Sequence, residues 1–347
     1  MATEDFLGGA LPSTGFDSPG FFRRGIALPY LIKRLLQIPV VVLVVVTLGF
    51  FLLKVAPGDP VALFAGEGAS PEYLEMIKKS YGLDRPVAEQ YFRYMGGIFT
   101  GQWGYSLAFD RPVLTVVLER MPYTLILSFA AFLVAVPLGI VLGVIAATKR
   151  STPLDSLVSG FATFFNSVPA FIIGLVLVYI FAVTMKILPL GGFQTVGAAF
   201  AGFAGKAMDL LKHLILPAIS LALIWMVGYT RVMRSTMVES LLSDYVRAAV
   251  SRGIARRRVV YRHAFRNSIL AVVTLAGIHV GYMIGGVILT ETVFSWAGIG
   301  QLVVQAVHFR DYPLLLGILF FSSIWVGAVN LLVDAIYVSI DPRVKLR

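Results

Sequence analysis

The sequence predicts an all-α membrane protein of about six transmembrane helices with both termini cytosolic, and three observations predict it. First, 58% of its 347 residues are hydrophobic and 14% charged, with a mean hydropathy of +0.83, whereas soluble domains run near half apolar and a quarter charged. Second, apolar stretches occur near 35–55, 122–147, 157–185, 213–233, 268–290 and 314–338, each meeting the rule of roughly 20 residues for about 30 Å of hydrocarbon. Third, the basic residues fall on one side of these spans. Arg23, Arg24, Lys33 and Arg34 precede the first, Lys149 and Arg150 follow the second, and Arg343, Lys345 and Arg347 close the chain. The densest run, Arg247, Arg252, Arg256, Arg257, Arg258, Arg262 and Arg266, lies between the fourth and fifth. By the positive-inside rule that side is cytosolic.

In chain order, residues 1–27 are rich in Gly, Ser, Pro and Phe and read as a flexible cytosolic tail. The first apolar run, within 28–55, competes with a signal peptide, but its length and the lack of a small-residue cleavage site make it a retained helix. Residues 56–115 mix acids and bases and form an external insertion. There Ser70, Pro71 and Glu72 start a short amphipathic helix carrying Leu74, Ile77 and Tyr81, and Gly82 stops it. A second helix is expected over 87–94 and a turn at 101–104. A core of the remaining spans fills 116–340, with an external Gly/Ala-rich loop at 188–212 and a polar cytosolic loop at 240–267. A short cytosolic tail ends the chain at 341–347.

Composition also excludes chemistries. No cysteine is present, so disulfide, thiol and cysteine-metal chemistry are out. His213, His263, His279 and His308 are scattered without metal-ligand spacing, and no metal site is expected. The net charge of +10 and pI near 9.8 come from topogenic arginines, without motifs for nucleic acid. No phosphate-cradling G-x-x-x-x-G-K-[ST] loop occurs, so the chain has no ATPase site. Its second, third and fifth spans lack interior charge apart from His279, which argues against an ion-coupled carrier. A membrane scaffold without a path is a second rival. Energy is expected from a partner at the cytosolic face.

Residues 240–267 have a helix-turn-helix grammar. Ser243 or Asp244 caps a helix, Tyr245, Ala248 and Ala249 share a face at i, i+3 and i+4, and Gly253 ends it in a left-handed conformation. A second helix starts near Ala255. Small Ala248 and Ala249 admit a close partner, while Tyr245 and Val246 offer apolar anchors. The alternative is a basic surface loop that only fixes orientation.

At these residues the chain resembles the permease subunits of bacterial ABC importers, in the dipeptide and oligopeptide branch. That family carries E-A-A, three residues, then Gly. Here Arg247-Ala248-Ala249 precedes Gly253, with Arg replacing Glu. The peptide-branch version, D-Y-V-R-x-A followed by Gly and later R-H-A-x-R-N, fits Asp244 to Ala249, Gly253 and Arg262 to Asn267. Further markers follow in the family's order after residue 28: Pro57-Gly58-Asp59-Pro60, Tyr81 to Asp84, Ser167 to Phe171, Val293-Phe294 through Gly300, and Arg310 to Pro313. Ala297 stands where the family usually has proline.

The resemblance implies the type I importer permease fold, a place in the bacterial inner membrane, and a role as half of a paired channel with a second, homologous permease. It implies two cytosolic ATPase subunits that bind ATP and Mg, and an extracytoplasmic binding protein that delivers di- or oligopeptides. Related systems carry glutathione, nickel complexes, oligosaccharides or opines. Carried over residue by residue, ATPase docking falls to Tyr245, Val246, Arg247, Ala248, Ala249 and Gly253.

For the path, Asn166, Ser167, Pro169 and Phe171 interrupt the third span. They read either as a substrate path or as a kink sealed by neighbouring helices. Gly277, Gly281 and Gly285 recur every four residues as a stripe for close helix packing, within the chain or against a second permease. His279 reads as a hydrogen-bonded packing residue, and Asp334 is expected to pair with Arg231 or Arg234.

Overall fold

The structure, a computed structural model, describes residues 24–56, 61, 70–80, 82–197, 202–281, 283, 285 and 287–340. Its elements are α1 (Arg24–Val55), α2 (Pro71–Ser80), α3 (Val87–Phe99), β1 (Tyr105–Ser106), β2 (Arg111–Pro112), α4 (Val113–Thr148) and α5 (Pro153–Ser167). Then come α6 (Ala170–Thr184), α7 (Gly202–Leu242), α8 (Asp244–Ser251), α9 (Arg256–Gly281), α10 (Ile288–Val293), α11 (Ile299–His308) and α12 (Tyr312–Ile340). Both α6 and α9 contain a wide π turn, Val178–Thr184 and Val259–Ala264.

Among the described residues, α1, α4, α7, α9 and α12 are each long and apolar enough to span a membrane. The expected third span is not one helix: α5 and α6 meet at 98°. The cause is local. Proline at 169 disfavours the helical conformation of the residue before it, and Val168 is extended, with φ −97° and ψ 124°.

The core is built by α4 lying against α7. A side chain at Gly139 would put its Cβ 2.4 Å from Tyr229 Cβ, and one at Gly143 2.6 Å from Met233 Cβ. Around this seam Leu127, Ala131, Ala135, Met226, Tyr229 and Met233 are buried. In a bilayer such contact comes from shape and dispersion, because lipid is as apolar as leucine. A second cluster joins α1, α4, α11 and α12 through Val46, Val117, Leu302 and Leu314.

On the external side, α2 and α3 follow the predicted amphipathic segments, with Ser70 Oγ accepting from Tyr73 N at 3.2 Å. β1 and β2 pair antiparallel as Tyr105↔Pro112 and Ser106↔Arg111. Asp311 ties this hairpin to α12. Its Oδ2 accepts from Ser106 Oγ at 2.5 Å and Ala108 N at 3.0 Å, and its Oδ1 accepts from Leu314 N at 3.0 Å. That is an N-cap and a tie between hairpin and helix in one side chain.

Several expectations need correction. The fifth span was expected over 268–290, but α9 ends at Gly281 and Gly285 lies in a turn beyond it. Residues 1–23, 57–60, Tyr81 and 341–347 of the predicted tails and markers lie outside the described residues, whereas 24–27 are already helical. Asp334 does not pair with Arg231 or Arg234. It meets Arg34 Nε of α1 at 3.2 Å, while Arg234 makes a two-pronged pair with Asp155 at 2.7 and 2.8 Å. The reason is helix arrangement: α12 packs along α1, and α7 along α5.

Candidate functional site

The cytosolic loop folds into α8, and its ends follow from sequence. Ser243 is the N-cap residue, with φ −72° and ψ 156°. Its side chain does not cap, because its hydroxyl donates to Ser240 O, while its carbonyl accepts the first helical bonds from Val246 N and Arg247 N. At the other end Gly253 has φ +75°, as expected of a left-handed stop. Ile254 N donates to Ala249 O at 3.2 Å and Gly253 N to Val250 O at 2.9 Å. This paired 6→1 and 5→2 pattern is the Schellman motif, and nothing lies within 4 Å of a Cβ placed at Gly253. Backbone conformation, not space, therefore requires glycine there.

The predicted docking set divides between two faces. Val246 and Ala249 are buried against Val259 and Ile254 of the same chain. The expected grouping of Ala249 with Tyr245 and Ala248 on one face thus needs correction. The reason is that Val259 and Ile254 draw the Val246–Ala249 edge inward. Tyr245, Arg247 and Ala248 remain exposed, together with Val250. Arg247 lies over its own helix, with NH2 donating to Leu242 O at 3.1 Å and NH1 at 3.6 Å from Asp244 Oδ1.

One side-chain link ties α8 to the foot of α9, and a second ties the end of α7 there. Asn267 Nδ2 donates to Tyr245 OH at 3.0 Å, and Ser268 Oγ lies 3.2 Å from Ser240 Oγ. Both partners on α9 belong to the run read as R-H-A-x-R-N and its neighbour. Beside α8, an open hollow of about 660 Å³ is lined by Thr148, Arg150, Leu242, Val250 and Arg256 among others. The site is thus a short helix fixed along one edge and free along the other.

The residues proposed for a path fall in two places. Asn166, Ser167 and Pro169 are exposed at the α5–α6 bend, Phe171 is half-buried one turn on, and Ser167 Oγ donates to Thr163 O at 3.0 Å. The glycine stripe is interrupted. A Cβ at Gly277 would lie 2.6 Å from Val333 Cγ1, and one at Gly281 2.9 Å from Asn330 Oδ1, both on α12, whereas Gly285 has open space. The first two glycines therefore pack α9 on α12 within this chain. His279 Nδ1 is 2.8 Å from Tyr229 OH, and its ring lies beside Trp225, as expected of a packing residue.

Sequence reasoning missed one polar centre. Glu291, in α10, has no exposed surface. Thr124 Oγ1 donates to its Oε1 at 2.6 Å and Gln301 N to its Oε2 at 3.1 Å, while Ile299 N donates to Thr124 Oγ1 at 2.8 Å. Burial pushes its carboxyl up to about 7 against the pull of these donors. A Cβ at Gly298 would sit 2.2 Å from Glu291 Oε1. The glycines of the 293–300 marker were the available signal, since glycine lets a backbone wrap a neighbouring group closely.

The chain matches two family patterns in succession. Residues 139–346 match the binding-protein-dependent transport system inner membrane component, and residues 27–128 match its N-terminal membrane component. This chain belongs to the binding-protein-dependent transport permease family. Among curated relatives, a putative peptide transport system permease protein of Brucella abortus is 39% identical over 91% of this chain and 98% of its own length. A probable peptide ABC transporter permease protein of Sinorhizobium fredii is 35% identical over 91% and 99%. The dipeptide transport system permease protein DppB of Escherichia coli K12 is 36% identical over 92% and 99%. The chain is therefore a multi-pass inner-membrane permease subunit of the all-α type its sequence predicts.

Proposed function

We propose that this permease moves di- or oligopeptides, delivered by an extracytoplasmic binding protein, that two separate cytosolic ATPase subunits drive it, and that α8 is the helix seated in a cleft of one of them. The second half of the channel is a similar but distinct permease. ATP and Mg are held by the ATPases, and no bond is made or broken in this chain. Relatives named for peptide and dipeptide transport support the cargo.

The observation that carries the coupling reading is the division of α8. Val246 and Ala249 hold one edge to the chain, Gly253 sets the stop, and Tyr245, Arg247 and Ala248 stay available to a partner. A helix so held passes a push to α7, with which it is nearly continuous, and to α9 through Asn267. Bulk at Ala249 would break the internal seam, whereas bulk at Ala248 would meet only the partner.

The test is reconstitution of the copurified complex with its binding protein and a peptide. Ligand-stimulated ATP turnover is expected in the wild type and lost in Ala248→Trp, with the permease pair still assembled. Full stimulated turnover and uptake in Ala248→Trp would remove the coupling assignment. If a nickel complex or oligosaccharide copurified in the binding protein in place of peptide, the cargo would change and the coupling would stand.

A further inference from the structure

On the face of α9 turned away from α8 lies a cluster that the coupling reading does not use. Arg257, Arg258, Arg262 and Arg266 are all exposed, and they line an open trough of about 760 Å³ with Tyr261 and Ile269. The opposite face of the same stretch, Val259, Val260, Ala264 and Ser268, is buried in the protein. Among the described residues none of the four arginines takes part in an ion pair, although acids elsewhere are paired with Arg34, Arg85, Arg111, Arg234 and Arg247. Four cations left together without acids repel one another and call for an anionic partner.

The trough changes character along its length. Arginines and rings alternate from Arg257 and Arg258 through Tyr261, Arg262, Phe265 and Arg266, and the trough ends at Ile269, beyond which α9 continues as an apolar span. A stretch of arginines interleaved with aromatic rings that gives way to an apolar helix matches a bilayer leaflet met from the cytosol, headgroup and interface first and acyl chain beyond. A protein surface would match the arginines but not the continuation into hydrocarbon.

We propose that this trough is a binding site for an anionic phospholipid of the cytosolic leaflet, its phosphate among Arg258, Arg262 and Arg266 and its chains along Phe265 and Ile269. A lipid held there braces the foot of α9, the element to which Tyr245 is tied. The proposal concerns a face that α8 does not touch, so it stands whether or not α8 is the ATPase contact.

The experiment compares retention of phosphatidylglycerol and phosphatidylcholine by native mass spectrometry of the purified complex. Three forms are used: wild type, the triple variant Arg258→Gln/Arg262→Gln/Arg266→Gln, and the matching triple Lys variant. Wild type is expected to retain phosphatidylglycerol preferentially. Each arginine removed should weaken that preference about fivefold, and the Lys variant should keep most of it. Equal retention in wild type and Gln variant would overturn the site. So would loss of an ATPase or of the second permease from the Gln variant with lipid retention unchanged, since the arginines would then serve a protein contact. Should the Gln variant fail to assemble, the wild type decides. Preference for phosphatidylglycerol that falls steeply with salt supports the proposal, and absence of preference ends it.

Discussion

The two ends of this permease handle polarity in opposite ways. On the outer side Glu291 and Asp311 are completely buried, and each is surrounded by donors from segments distant in sequence. On the cytosolic side α8 is eight residues held by a small cluster of Val246, Ala249, Ile254 and Val259 and by hydrogen bonds at the surface. A buried, fully satisfied polar group is costly to disturb, while an exposed hydrogen bond contributes modestly. The contrast separates an end whose polar groups are locked by distant donors from one held by a small cluster and surface hydrogen bonds.

The largest test of that contrast is at the outer side. Gly298→Ala drives a methyl into the Glu291 carboxyl and should destabilise the permease by about 3 kcal/mol, measured as loss of folded complex in a thermal unfolding series. A mild effect would mean that the outer end yields.

The next is a pH dependence. Glu291 is held at about 7 in the folded protein, above its ordinary value of 4.5, so the folded state binds the proton more readily than the unfolded one. The associated stabilisation is complete below about pH 4.5 and fades as pH rises through about 7, by roughly 3 kcal/mol at most. Thermal unfolding at pH 5 and pH 8 should show the slope in wild type and a reduced slope in Glu291→Gln.

At the inner end, Gly253→Ala must hold a Cβ at positive φ and should cost about 1 kcal/mol locally, with stimulated ATP turnover falling and the complex intact. Gly253→Asn, which tolerates that conformation, should retain more turnover. Equal loss in both would point to direct contact at the glycine instead of its conformation. The smallest effect is expected from Tyr245→Phe, which removes the bond from Asn267 and should cost about 0.5–1 kcal/mol. Its readout is the ratio of stimulated to basal turnover, since overall stability should barely move.

Much of the inner site was legible because its signals are local. Gly253 announces a helix stop by residue type alone, and Ala249 announces the close packing seen against Val259 and Ile254. Which edge of α8 turns inward was not legible, because Val259 and Ile254 decide it. The Glu291 centre was harder still: Thr124 lies far away in the chain, and an acid just past an apolar run looks like an ordinary loop residue.

By itself the sequence determined the all-helical membrane class, the inward placement of the basic loops, the short helix ending at Gly253 and the break at Pro169. These depend on hydropathy, charge and backbone preference, which act over a few residues. Only the tertiary structure decided that the break becomes a 98° bend, that Asp334 faces Arg34 and Arg234 faces Asp155, and that Gly277 and Gly281 serve α12. Those outcomes depend on how rigid helices rotate and slide against one another, and no periodicity within one helix specifies its neighbour.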